Sequence, residues 1–154
     1  MYQTLLIIHS LVRWLVLVTL VYALVNACIG YSRKRPFTKA DDAVRHWTAT
    51  TAHIQLILGA TLYFNSPVIS AFFARFSTSI QSASTAFFGI IHALTMFVAI
   101  LIITIGSALA KRQTVDRDKF RTLLIWFSIG LVLILLAIPW PFSPLANRPY
   151  VRSF

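Results

Sequence analysis

The sequence predicts an all-α integral membrane protein, an up-down bundle of four transmembrane helices that forms one membrane domain over residues 1-154. Three observations carry the prediction. The 154 residues are 58% hydrophobic, with only four acids against fourteen bases, which is membrane composition. Four apolar segments, at about residues 4-30, 44-64, 86-110 and 120-138, each supply the ~20 helical residues that a bilayer core of ~30 Å requires. The bases fall in short loops between these segments instead of along one stripe, which reads as a topology signal and sets nucleic acid aside as a partner for the +10 charge.

The first segment has no basic run before it and no small-x-small cleavage site after it, so it is expected to remain as a helix and not to serve as a signal peptide. Gly30 and the Arg33-Lys34-Arg35-Pro36 run are expected to end it. Asn65-Ser66-Pro67 closes the second segment, Lys111-Arg112 the third, and Pro139, which lacks a backbone donor, the fourth. Arg33, Lys34, Arg35, Lys39 and Arg45 lie in or beside the first loop, and Lys111, Arg112, Arg117, Lys119 and Arg121 in or beside the last, whereas the middle loop has Arg75 alone. The positive-inside rule puts both basic loops in the cytoplasm and both termini on the periplasmic side of a bacterial inner membrane.

Residues 68-76, Val68 to Phe76, are too short to span and too apolar for a solvated loop, and are expected to form an interfacial helix, idle or acting as a lid. The Ser/Thr-rich stretch from Ser77 to Thr85 has the composition of a flexible connector. The tail 139-154, with Trp140, Phe142 and Tyr150, reads as an extended strap anchored by aromatics, although Arg148 and Arg152 argue mildly against a periplasmic tail. Cys28 is alone, so no internal disulfide forms.

Ionisable groups inside a membrane call for a reason, and the first helix carries His9 and Arg13 one turn apart. Ile90-Ile91-His92-Ala93-Leu94 repeats the setting of Ile7-Ile8-His9-Ser10-Leu11. Laying residues 53-68 on 130-145 without a gap matches Leu56/Leu133, Ile57/Ile134, Leu58/Leu135, Ala60/Ala137, Ser66/Ser143 and Pro67/Pro144, which suggests two duplicated helical hairpins. Such an arrangement sets the first and third helices diagonally, with His9 and His92 facing each other at equal depth. Two neutral imidazoles across an apolar slot suit the two faces of a haem b, which makes His9 and His92 the expected iron ligands. Arg13, leaning back toward its N-terminus, would meet a propionate or snorkel to lipid headgroups.

His53 is the alternative ligand, or a neighbour of the cofactor or of a quinone, because its repeat-mate Gly130 leaves room beside it. His46 reads as interfacial, Met96 as packing, and Trp14, Trp47 and Trp126 as bundle or interface residues. No Cys, Asp or Glu lies inside the helices to complete a site for a bare ion. A Ser/His/Asp or Cys/His set and a phosphate-cradling glycine loop are both missing, and without an intramembrane carboxylate a transporter is the weaker class.

His9-Ser10-x-x-Arg13-Trp14, Pro36-Phe37-Thr38-Lys39-x-Asp41, His53-Ile54-Gln55-Leu56 and the tail from Ile138 to Leu145 together resemble a family of small four-helix membrane proteins of Bacteroidetes-type bacteria, uncharacterised or labelled cytochrome b-like. The resemblance covers nearly the whole chain, with the third helix matching only around His92. It implies a fold and a haem, not a reaction; the hairpin arrangement is also similar to half of a haem A synthase. The expected function is that of a haem-binding, b-type cytochrome-like membrane protein in electron transfer with quinol or a respiratory partner. The alternative is a non-catalytic accessory or assembly subunit of a larger membrane complex.

Overall fold

The computed structural model describes residues 2–143, and among these it contains helices and no strand. Helix α1 (Tyr2–Ser32) buries Val16, Leu20, Ala23, Ala27 and Gly30, a four-three spacing that keeps one narrow seam inward. Its other faces are apolar and exposed, as at Leu11, Leu15, Val18 and Val25, the pattern of a helix whose surroundings are themselves apolar. Gly30 does not stop this helix. It lies inside it, where a Cβ would overlap the Phe120 ring. The stop comes at Lys34, whose φ of 51° is left-handed and lets Arg35 N–H reach back to the Gly30 carbonyl at 3.2 Å.

Helix α2 (Lys39–Phe64) starts from a capping box, with Thr38 accepting from Asp41 N–H while the Asp41 carboxylate takes the Thr38 N–H. Asp41 precedes the apolar run that begins at Val44. Arg35 grips it with two bonds of 2.6 and 2.7 Å, and Asn26 of α1 adds a third at 2.6 Å. The guanidinium, with these further donors, holds the Asp41 carboxyl well below the usual carboxylate range. This cluster ties the loop to both helices of the first hairpin.

After Asn65 the chain bends by 56° into α3 (Pro67–Ala74), capped by Ser66 with proline in its first turn. Of the expected helix at 68-76, α3 covers residues 68-74, and Phe76 opens the next turn after Arg75; Phe72 is buried, while Phe73 and Phe76 are exposed. The expected connector from Ser77 to Thr85 is instead largely wound into single turns, α4 (Phe76–Ser79) and α5 (Ala83–Ala86). Serine and threonine composition misses this because their side chains satisfy backbone groups locally, as when Thr78 bonds the Arg75 carbonyl.

A π-helical turn, Phe87–Ile91, leads into α6 (His92–Arg112), and α7 (Asp116–Ala137) ends just before Pro139. Buried positions on α7 (Phe120, Leu123, Phe127, Gly130, Ile134, Ala137) repeat the spacing of α1. Helix α1 packs on α2 and α7, and α6 packs on the same two, so α1 and α6 are opposed across the centre. Among the described residues, three helical stretches are long and apolar enough to cross a membrane, or four with α2 and α3 taken as one bent span. Of the tail 139-154, only the start is described: Trp140 donates to the Leu135 carbonyl at 2.8 Å and stacks on Phe142. Arg148, Tyr150 and Arg152 lie outside the described residues.

Candidate functional site

The end of the molecule away from the basic loops holds a cavity of about 370 Å³ between α1, α2, α3 and α6, within the size range of small-molecule and cofactor pockets. His9 and Arg13 reach it from α1, Gln55 and Gly59 from α2, and His92 and Met96 from α6. The two imidazoles meet there edge to face, with ring centres 6.5 Å apart and planes at 72°. The structure thus brings the matched histidines together from opposed helices.

Each ring is held by the other helix of its own hairpin. His92 Nδ1 lies 2.7 Å from the Ala137 carbonyl; a carbonyl only accepts, so Nδ1 carries the proton and Nε2 keeps its lone pair. Ala137 ends α7, and its carbonyl has no continuing helix to bond. Gln55 donates to the His9 carbonyl at 3.0 Å, and its amide nitrogen also lies 3.3 Å from His9 Nε2. Among the described residues, His9 Nδ1 and Gln55 Oε1 are buried with no hydrogen-bond partner. Leaving such groups unmatched costs roughly 1–3 kcal/mol each, which makes this the part of the interior that calls for a further partner.

Small residues make the space. A Cβ at Gly59 would stand 3.2 Å from His9 Cε1, so the ring lies directly against the α2 backbone. Gly89, in the π turn just before His92, admits the Phe72 ring, which a Cβ would approach to 2.7 Å. Tyr63 fastens the same glycine by donating to its carbonyl at 2.6 Å. The π turn resets the register of α6 at the histidine, a local device frequent at functional sites.

His53 is not brought to this pair. Its Nε2 lies 2.8 Å from Thr104 Oγ1, and because the Thr104 hydroxyl donates to the Ile100 carbonyl, the imidazole is the donor. The room expected beside Gly130 is filled by Ile103. His46 is exposed and packs on Trp47. Arg13 faces the cavity, its guanidinium 5.4 Å from the Trp14 ring centre. Among the described residues no group of three or more His, Cys, Asp or Glu converges as a metal site.

Gln55, Gly59 and Ala137 went unassigned in the sequence. A glutamine in the middle of an apolar run is a legible signal for the first, since its amide must find partners inside. The backbone carbonyl of Ala137 has no sequence signal at all. No family model, curated protein or solved structure matches the chain.

Proposed function

We propose that the chain is a haem-binding, b-type cytochrome-like protein of a bacterial inner membrane, exchanging electrons with quinol or a respiratory partner. In this reading α1, the bent α2–α3 pair, α6 and α7 cross the bilayer as an up-down four-helix bundle built from two related hairpins, with both termini periplasmic. The observation that carries it is the convergence of His9 and His92 from opposed helices on one apolar cavity.

Two observations support this reading. The two ring centres stand 6.5 Å apart at the cavity, a separation at which one iron atom could be held between them. The His92 tautomer, with Nδ1–H on a backbone carbonyl, is the one that metal-ligating histidines adopt. His9 and His92 would therefore hold the iron, and Arg13 at the cavity wall would pair with a propionate. When bound, haem b supplies a one-electron couple. Exposed Phe64, Val68 and Phe97 also line the cavity, an apolar approach from the bilayer that suits a quinol.

The accessory-subunit reading draws on the same bonds, because His92 to Ala137 and Gln55 to His9 tie helices together without a cofactor. An absorption spectrum of the detergent-purified protein, oxidised and then reduced with dithionite, separates the two. A low-spin haem b spectrum is expected; no Soret band after haem supplementation would overturn the haem reading and leave the accessory role.

A further inference from the structure

A second concavity lies on the outer surface of the first hairpin, separate from the histidine cavity. It is a groove of about 320 Å³ between α1 and α2, lined chiefly by Val18, Tyr22, Ala43, Val44 and Trp47. Tyr22 is 60% and Trp47 61% exposed, so two large aromatics stand outward at its lips. Aromatics of this kind favour the border between hydrocarbon and headgroups, where an apolar ring body meets a polar edge.

Charge at the end of the groove is one-sided. Lys39 stands four residues before Ala43 and eight before Trp47, hence on the same face of α2, with its backbone roughly 6 Å beyond Ala43 toward the basic end. The two acids of that turn are already committed, Asp41 to Arg35 and Asp42 to Arg45. Lys39 makes no ion pair among the described residues, and Arg33 and Lys34, where α1 ends, are exposed as well. An apolar trough that opens onto unpaired cations matches a molecule with a hydrocarbon chain and an anionic head.

We propose that this groove is a binding site for an anionic phospholipid of the surrounding leaflet, with an acyl chain along Ala43, Trp47 and Val18 and the phosphate at Lys39. Basic pockets between transmembrane helices at the cytoplasmic face are a recurring way to hold such headgroups. The proposal is independent of whether the histidines bind haem.

Native mass spectrometry of the purified full chain, released from nanodiscs containing equal amounts of phosphatidylglycerol and phosphatidylcholine, tests it. The wild type is expected to retain phosphatidylglycerol over phosphatidylcholine by about five-fold, the ratio that one lysine near an anionic surface supports. Lys39→Gln should bring that ratio close to one, and Ala43→Phe, which fills an exposed part of the groove, should lower retention of both lipids. Lys111→Gln with Arg112→Gln, in the second hairpin, should leave the ratio unchanged. Equal retention of the two lipids by the wild type would overturn the site. So would a preference that survives Lys39→Gln, or one that disappears only in the Lys111/Arg112 variant, which would mean diffuse attraction to the basic end.

Discussion

His92 donates a hydrogen bond from Nδ1–H to the carbonyl of Ala137, 2.7 Å away, and so joins the start of α6 to the end of α7. The bond satisfies a terminal helix carbonyl and fixes which nitrogen of the ring keeps its lone pair. Turning the ring out of this bond would leave both Nδ1–H and the Ala137 carbonyl without a partner. The histidine is therefore pre-oriented before any ligand arrives.

His9→Ala and His92→Ala should each abolish a low-spin haem spectrum while the protein still inserts, and His46→Ala should keep it. His53→Ala should keep it too, because that side chain is spent on Thr104. The measurement is the reduced-minus-oxidised spectrum of each variant at equal protein. Loss confined to His53→Ala would move the iron ligand to α2.

Gly59→Leu should lower cofactor occupancy with less effect on insertion. Its side chain would enter the space beside His9, where even a Cβ comes within 3.2 Å of the ring. Haem content per protein after reconstitution checks this. Unchanged occupancy would show that the ligand does not use the α2 side of the cavity.

Gly30→Leu should destabilise the protein by about 1–3 kcal/mol, the usual range for overpacking a filled site. Phe120 occupies the space of the missing side chain, so combining Gly30→Leu with Phe120→Ala should recover part of the loss. Thermal unfolding in detergent reads both. Strict additivity of the two substitutions would contradict the contact.

Asp41→Asn should cost roughly 2 kcal/mol, since bonds to a charged group are worth about 1.5–3 each and several converge on this carboxylate. The pH dependence has a definite sign. The folded carboxyl titrates below its unfolded value, so its contribution is fully present above the ordinary carboxylate range and is lost as pH falls through that range toward the folded value. Acid unfolding of the wild type should show this loss, and Asp41→Asn should flatten it.

Reporter fusions at Ser79 and Gln113 test orientation. Ten bases in and beside the two basic loops against Arg75 alone in the middle one predict periplasmic activity at Ser79 and cytoplasmic activity at Gln113. The reverse pattern would invert the bundle.

The four long apolar segments, the short helix after Asn65 and the matched settings of His9 and His92 are legible in the chain alone. These are properties of composition and one-dimensional spacing, and a membrane makes them legible because length and apolarity alone decide whether a helix is able to cross. Which polar groups meet is set by how the helices pack. Gly30 lies inside α1 with the Phe120 ring in the place of its side chain, and His53, the alternative ligand, bonds Thr104. Gln55 and the Ala137 carbonyl complete the site from helices far away in sequence, and the π turn before His92 shifts a register that periodicity assumes to be constant. The physical reason is common to all of these: a buried polar group or a missing Cβ is satisfied by whatever the opposing helix presents, and that depends on helix rotation and register, which spacing along one chain does not encode.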